Sequence, residues 1–546
     1  MSASLEVAAH DRSQGRSIVI SQQGVVATEH PLASQAAAMT LARGGHAVDA
    51  AVAASAVMGV VAPMWTGIGG DLFAIVYDAS RDELHGLNAS GWAPSALTID
   101  ELASRGVTRL SGIHTVTVPG AVAGWAAMRD RFGRKPLAEL LEPAIAYAED
   151  GFPVAELNAV VWAAAEEDLR RDPNAARLYL PGGEAPRTGQ IFRNPDLAWS
   201  YRQMAAEGAD ALYKGEVARR IISYSQRQGG LMSAADLAEF SVEWTRPIST
   251  TYRGWTVYEM PPNGQGIAAL LMLNLLERAP LAEWGHNSPE ALHAMIEAKK
   301  LAYADMARYV ADPKGADVPV EGMLSKTYAA SRATLIDPQK AGCEVFPGAL
   351  VPSDGGDTIY LSVVDRDGHM VSLIQSIYSP FGSGLVPDGA GFALHNRGAL
   401  FTLDPEHPNA LGGRKRPLHT IIPAFMTRGD VRIAFGIMGG WNQSQAHAQF
   451  VANVVDYGMN IQAALEAPRF SKTTFGGCDV RMEGRVPEPV RAELARRGHE
   501  IRVMGEFSGS MGGGQAVMRD VAASVNYGAS DPRKDGAAIP EPWRAR

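Results

Sequence analysis

The chain contains little of several features that mark specialised classes of protein. It has two cysteines, Cys343 and Cys478, in 546 residues. That is too few for a disulfide framework or a metal cluster, so we expect them only to pack. Basic side chains (50) are fewer than acidic ones (59), which disfavours nucleic acid or an anionic membrane as a partner. We find no apolar run typical of a secretory signal or a membrane helix, and we expect a cytoplasmic protein.

What is present is typical of a globular enzyme-sized chain. Hydrophobic residues make up 46% and charged residues 20% of the sequence. Helical patterns, such as the one over 289–309, alternate with buried strand patterns such as 71–77, and strands dominate after residue 358. No fixed repeat is visible. The sequence therefore predicts an α+β fold in which strands stack as sheets with helices outside, in one compact unit.

Thr358 opens an apolar strand, 359–364, directly after Gly355, Gly356 and Asp357. A threonine at such a place is usually only a good strand former. If the bond between Asp357 and Thr358 is cut, however, Thr358 gains a free amine beside its hydroxyl. Such an amine can take the hydroxyl proton and so activate the oxygen as a nucleophile. The sequence thus indicates a catalytic Thr358 and a cleavage site between Asp357 and Thr358.

Two downstream segments could complete such a site. Gly439 and Gly440 follow a predicted strand, and their backbone N–H groups are candidate donors to an oxyanion, although an ordinary turn explains them equally well. The loop at 375–384 is rich in hydroxyls and glycine and fits either a pocket wall or a surface loop. The candidate substrate-binding residues in and beside these segments are Ser376, Tyr378 and Asn442, and a polar pair after a proline, His419 and Thr420, is a further candidate.

Many motifs together resemble the γ-glutamyltranspeptidase family over residues 24–520. They occur in the family's order, which makes the resemblance specific. The segments that carry it are 30–34, 44–53, 118–125, 260–266, 358–365, 381–384, 416–418 and 439–440.

The resemblance implies an N-terminal nucleophile hydrolase with a four-layer αββα sandwich. It implies a precursor cut into a large subunit, residues 1–357, and a small subunit, residues 358–546. Thr358 would be the nucleophile and its amine the base, with Gly439 and Gly440 as oxyanion donors. No cofactor or metal is implied. The expected partner is a small-molecule substrate, and a dimer of processed heterodimers stays open.

Two departures from the family pattern concern the substrate. The arginine that precedes a short Ala-Pro step in members acting on glutathione is absent from 88–94, and the family's acidic pair is replaced by Ala399 and Leu400. Arg397 is the candidate replacement for holding a carboxylate. The sequence looks closer to the oxamate amidohydrolase-like branch. A true γ-glutamyltransferase or glutathione hydrolase, a glutaryl or cephalosporin acylase, and an unprocessed non-catalytic relative are the alternatives.

Overall fold

A computed structural model describes residues 14–346 and 358–543. The strands in these residues are β1 Val19–Ser21, β2 Val25–Thr28, β3 Asp71–Asp78, β4 Glu83–Ala89, β5 Phe152–Pro153, β6 Ile191–Phe192, β7 Glu243–Thr245, β8 Ile248–Tyr252, β9 Trp255–Glu259, β10 Ile359–Val364, β11 Met370–Ser376, β12 Ala424–Arg428, β13 Val431–Ile437, β14 Phe470–Ser471, β15 Asp479–Glu483, β16 Glu500–Met504, β17 Gly514–Asp520, β18 Val525–Ser530 and β19 Ala537–Pro540.

The α-helices of the described ranges follow the same chain order. They are α1 Pro31–Ala42, α2 Ala47–Val61, α3 Ile99–Ser104, α4 Ala121–Phe132, α5 Leu137–Asp150, α6 Glu156–Ala164, α7 Glu166–Leu169, α8 Pro173–Tyr179, α9 Pro195–Glu207, α10 Asp210–Tyr213, α11 Glu216–Arg227, α12 Ala234–Ala238, α13 Gly266–Leu276, α14 Leu281–Trp284, α15 Pro289–Tyr309, α16 Val320–Leu324, α17 Lys326–Ala333, α18 Gln443–Val455, α19 Ile461–Glu466 and α20 Glu488–Arg496. In the part of the chain that the structure describes, no helix combines the length and apolarity that crossing a bilayer demands.

Two seven-stranded sheets form the centre of the fold. The first has the order β1-β18-β17-β13-β12-β9-β8 and the second β19-β2-β10-β11-β3-β4-β7. The paired strands within each sheet run antiparallel. A strand pairing of this kind lets alternate side chains point to opposite faces, so each sheet can bury both of its faces against another layer.

Strand β3 shows how the layers are arranged. Phe73, Ile75 and Tyr77 join the apolar cluster between the two sheets, whereas the alternate residues Leu72 and Ala74 pack against helices outside. Helices α1, α2 and α5 cover the second sheet, and α13, α15 and α18 cover the first. The fold is therefore the four-layer αββα sandwich that the family resemblance implies.

Helix α2 shows why the outer layer is so tightly packed. All of its residues are buried, and most are Ala or Val, which lets it lie close to the sheet. His46 caps its first turn, since His46 Nδ1 accepts from the Val48 N–H and Asp49 accepts from the His46 N–H. A helix without a wet face needs this local capping because solvent cannot satisfy its end.

The expectation that the cysteines only pack is wrong. Cys343 and Cys478 form a disulfide, with their Cα atoms 4.8 Å apart although 135 residues separate them in sequence. Two cysteines without a spacing pattern give no local signal of pairing. The tertiary fold alone brings them together.

Candidate active site

Three polar side chains form a row across the second sheet. In the register of β10 with β11, Ile359 lies opposite Gln375, so Thr358 lies opposite Ser376, and Ser376 in turn pairs with Asp71 on β3. Period-two alternation places all three on the face that carries Tyr360, Ile374 and Phe73 in the cluster between the sheets. The row therefore points into the space between the two sheets, at the ends of these strands.

Thr358 is held at the head of this row. Its side chain is buried, and its hydroxyl donates to Ser376 Oγ at 3.1 Å. Ser376 Oγ also accepts from the Tyr378 N–H at 2.8 Å, where Tyr378 has a left-handed φ of 77°. A bulky residue with positive φ is strained and is typical of functional loops. Asp357, the other residue of the predicted cleavage site, lies outside the described residues.

Three basic side chains contact Asp71, which lies at the far end of the row. Arg397 contacts it through Nε (3.2 Å) and Nη2 (3.3 Å), His419 through Nε2 (2.7 Å), and His395 through Nδ1 (3.3 Å). All four side chains are fully buried. Arg397 Nη1 also donates to the Thr420 hydroxyl at 2.6 Å, and its guanidinium lies 4.7 Å from the Tyr378 ring centroid.

The electrostatics of this cluster fix its charge states. Burial alone would raise the pKa of Asp71, but Arg397 and then His419 lower that pKa well below its usual range, so Asp71 is ionised. Burial and the Arg397 charge lower the pKa of His419 to about 4, against the opposing effect of Asp71. His419 is therefore neutral near pH 7, donates through Nε2, and accepts the Ile421 N–H at Nδ1 (3.3 Å).

Asp71 changes the interpretation of Arg397. The sequence analysis expects Arg397 to hold a substrate carboxylate, yet its fork already faces the carboxylate of Asp71. A buried guanidinium needs such a counter-charge because desolvation of an unpaired ion costs several kcal/mol. Asp71 therefore occupies the Nε and Nη2 side of Arg397, Nη1 donates to Thr420, and the role of Arg397 in holding a substrate carboxylate stays a prediction.

Gly439 and Gly440 follow β13, which faces β10 across the space between the two sheets. A Cβ on Gly436 of β13 would meet the Tyr360 ring at 2.5 Å, so the end of β13 lies over the start of β10. The turn that follows has φ of 127° at Gly439 and 57° at Gly440, conformations that favour glycine. Within the described residues, neither N–H donates to a protein group. They are thus available to an oxyanion.

Gln265 holds this turn in place through its side-chain amide. Its Nε2 donates to the Gly440 carbonyl at 2.8 Å and also to the Thr420 carbonyl. One side chain therefore joins the candidate oxyanion turn to the Arg397 and Asp71 cluster. Asn442, a predicted substrate-binding residue, instead donates its Nδ2 to the Met511 carbonyl at 2.8 Å, while its buried Oδ1 has no partner in the described part of the chain.

The structure brings six of the predicted site residues into one connected network. Thr358, Ser376, Tyr378, Arg397 and Thr420 are linked in succession, and His419 joins through the buried Asp71. Sequence reasoning missed the parts played by Asp71, Gln265 and His395. The one local signal for Asp71 was its position as an acidic residue at the start of an otherwise apolar strand. Gln265 and His395 gave none.

Two stacked antiparallel sheets between helical layers, with a threonine leading a central strand, define the class of N-terminal nucleophile hydrolases. Comparison with known proteins agrees. The family described as gamma-glutamyltranspeptidase matches residues 33–541. The chain belongs to the γ-glutamyltranspeptidase family, whose relatives act on amide bonds.

Individual relatives cover nearly the whole chain. A glutathione hydrolase-like YwrD proenzyme of Bacillus subtilis (strain 168) is 38% identical over 526 residues, covering 95% of this chain and 99% of its own. An oxamate amidohydrolase proenzyme of Klebsiella pneumoniae is 35% identical over 529 residues, covering 95% and 98%. The crystal structure of a cephalosporin acylase from Bacillus halodurans superposes with a TM-score of 0.91 at 40% identity, covering 99% and 100%.

Proposed function

We propose that this proenzyme cuts itself before Thr358 and then hydrolyses a small amide whose acyl group carries one carboxylate and no ammonium, as in oxamate. Thr358 Oγ attacks the amide carbon, and the freed amine of Thr358 takes the hydroxyl proton. The N–H groups of Gly439 and Gly440 stabilise the oxyanion. The proton passes to the leaving amine as the C–N bond breaks, and water then hydrolyses the ester on Thr358.

The observation that supports the acyl preference is the apolar wall beside the cluster. Ala399 and Leu400 follow Arg397 in one short turn, and the Tyr378 ring contacts the Arg397 guanidinium. Tyr378 and Leu400, together with Leu418 and Trp441, belong to one buried apolar cluster, with Ala399 packed against it. The acid beside this wall is Asp71, and Arg397, His395 and His419 already surround it. Burying an ammonium without a partner costs about 1–3 kcal/mol or more, so a substrate that carries one is disfavoured.

A glutaryl amide is the second candidate. The same apolar wall suits a short methylene chain, and the structural neighbour named above is a cephalosporin acylase. Glutaryl and γ-glutamyl anilides form a matched pair, because they differ only by the α-ammonium. We expect the glutaryl compound to have the higher kcat/KM by about tenfold or more. Faster turnover of the γ-glutamyl compound would overturn the acyl preference.

Ala399→Asp sharpens this test. A carboxylate there should raise the relative rate on the γ-glutamyl anilide, whereas the neutral control Ala399→Asn should not. Oxamate is assayed alongside by ammonia release. If oxamate and the glutaryl anilide are both inert while γ-glutamyl compounds react, the enzyme is a γ-glutamyl hydrolase.

Self-processing has its own test. On a reducing denaturing gel the mature protein should give two bands, and N-terminal sequencing of the smaller one should begin at Thr358. Thr358→Ala should stay uncut and inactive, and Thr358→Ser should be cut, because serine keeps the hydroxyl. Activity from an uncut chain, or cleavage elsewhere, would show that the nucleophile is a different residue.

A further inference from the structure

The disulfide between Cys343 and Cys478 joins two parts of the chain that the proposed scission separates. Cys343 lies in residues 1–357 and Cys478 in residues 358–546. The reaction proposed above uses neither sulfur. The role of this covalent link between the two products of processing therefore has to be inferred from the residues around the disulfide.

The Cys343 side of the bond is anchored on helix α15. The Gly342 N–H donates to Glu297 Oε2 at 3.1 Å. Lys300 Nζ donates to the Gly342 carbonyl at 2.9 Å and to Glu297 Oε1 at 2.7 Å. Glu297 and Lys300 are both buried. The backbone beside Cys343 is thus fixed to the large fragment by a buried ion pair.

The Cys478 side belongs to the loop 472–478, which joins β14 to β15. The Gly477 N–H donates to the Cys343 carbonyl at 3.0 Å, next to the disulfide. At the other end of the loop, Gln445 accepts the Lys472 N–H at 2.9 Å and donates to the Lys472 carbonyl at 3.0 Å. The loop is therefore held at both ends, and Lys299 Nζ on α15 also donates to the Thr474 carbonyl at 2.6 Å. The disulfide is the covalent attachment among these.

Phe475 occupies the middle of this loop and reaches the candidate oxyanion turn. Its ring meets the Trp441 ring edge-on, with centroids 5.1 Å apart, and lies 5.7 Å from the Tyr303 ring. Trp441 directly follows Gly440, and the Tyr303 hydroxyl donates to the Trp441 carbonyl. Phe475 and Tyr303 thus form the support behind the turn of Gly439 and Gly440.

We infer that Cys343 and Cys478 form a cross-link between the large and small fragments, which holds Phe475 against Trp441 and thereby positions the N–H groups of Gly439 and Gly440. Both cysteines are positioning residues. The inference rests on the proposed function, since a cross-link between fragments exists only if the chain is cut.

The bond can be opened without changing the sequence. An added dithiol supplies two electrons and two protons, so the S–S bond becomes two thiols and the dithiol becomes a cyclic disulfide. Formation of the S–S bond is the reverse reaction. The two thiols lose two protons and two electrons, and the electrons pass to an oxidant of the disulfide class. Reducing the folded, processed enzyme avoids any effect of the cysteines on folding.

The first experiment compares two denaturing gels of alkylated, processed enzyme. Without reductant we expect one band near the mobility of the full chain, and with reductant two bands. Two bands in both gels would overturn the cross-link while leaving the proposed processing intact. One band in both gels would instead overturn the processing itself, so the two failures are distinguishable.

The second experiment measures kcat per active site, counted from the acylation burst, before and after dithiol treatment. We expect kcat to fall about three- to thirtyfold with little change in KM, because oxyanion stabilisation acts in the transition state. The matched control is the double variant Cys343→Ser with Cys478→Ser, which should already have the lower kcat and should not respond to dithiol.

Phe475→Ala shows whether the cross-link acts through the loop. In that variant the dithiol should have almost no further effect, since the ring that transmits the contact is absent. An undiminished dithiol effect in Phe475→Ala would overturn the positioning role. An unchanged kcat in the reduced wild-type enzyme would overturn it as well.

Discussion

Asp71 is the residue on which the charge balance of the site depends. It is fully buried, it is ionised, and Arg397, His395 and His419 surround it. Such a group is costly to desolvate and is tolerated only while its partners stay in place. The cluster is therefore sensitive to a change of one atom.

Asp71→Asn should test this dependence. The variant keeps the shape of the side chain but leaves the Arg397 guanidinium buried without its counter-charge. We expect unfolding free energy to fall by about 3–5 kcal/mol in urea titrations of the uncut Thr358→Ala chain. The control is Asp82→Asn, an exposed partner of Arg432, which should cost less than about 1 kcal/mol. Equal, small effects of the two substitutions would contradict this account of the cluster.

Gln265 gives a second prediction at the residue scale. Gln265→Glu replaces a donor to the Gly440 and Thr420 carbonyls with acceptors, so the candidate oxyanion turn should shift. We expect kcat per active site to fall about tenfold or more.

Gln449 supplies the comparison for that measurement. It is another buried glutamine whose Nε2 donates to two carbonyls, those of Gln445 and Phe470, away from Gly440. Gln449→Glu should reduce stability and leave kcat per active site much less affected. If both variants lose kcat equally, the effect of Gln265 is general destabilisation rather than positioning.

At the scale of elements, the site depends on how closely β3 begins beside β11. A Cβ on Gly70 would lie 2.3 Å from the Ser376 carbonyl oxygen, and one on Gly69 would lie 2.2 Å from the Ala393 carbonyl oxygen. Only glycine allows this approach of two backbones. The row of Thr358, Ser376 and Asp71 exists because these strand ends touch.

Gly70→Ala should therefore displace the end of β11. We expect slow or absent self-processing on a reducing gel and a loss of about 2 kcal/mol or more in unfolding free energy, because the clash is with backbone. Gly67→Ala, in the same loop, meets nothing within 4 Å and should stay within about 0.5 kcal/mol of wild type. A normally processed Gly70→Ala protein would refute the steric argument.

At the scale of the whole molecule, the two predicted fragments are interleaved. In the second sheet β10 and β11 lie between β2 and β3, and in the first sheet β12 pairs with β9, so both sheets contain strands from both sides of residue 358. Each fragment alone would expose strand edges and apolar faces. We expect the cut protein to stay associated through its core and not through the disulfide alone.

Acid sensitivity is a property of the whole core. Burial lowers the pKa of several histidines, to about 4 for His30 and His419 and to about 3 for His46, His447 and His499. A histidine with a lowered folded pKa stabilises the fold fully above its unfolded pKa of about 6.5, and this stability is lost as pH falls toward the folded value. Burial raises the pKa of Glu259, which opposes the trend.

His419→Gln isolates one of these contributions. Between pH 6.5 and 5 the wild-type group should lose about 2 kcal/mol of stability, at about 1.4 kcal/mol per pH unit. We therefore expect the unfolding free energy of the uncut chain, measured in urea, to fall between pH 7 and pH 5. In the His419→Gln variant this fall should be smaller by about that amount. An identical drop in both proteins would mean that His419 is not neutral in the folded state.

Local patterns in the sequence determined the α+β class, the strand after Thr358 and the glycine pair after β13, because alternation and turns are features of neighbouring residues. The four-layer αββα arrangement came from the family resemblance. The roles of the predicted site residues stay predictions. Only the tertiary structure decided the partner of Arg397, which lies 326 residues away, the partner of His419, which lies 348 residues away, and the pairing of the two cysteines. Contacts between residues so far apart follow from how the sheets stack, and no spacing in the sequence encodes them.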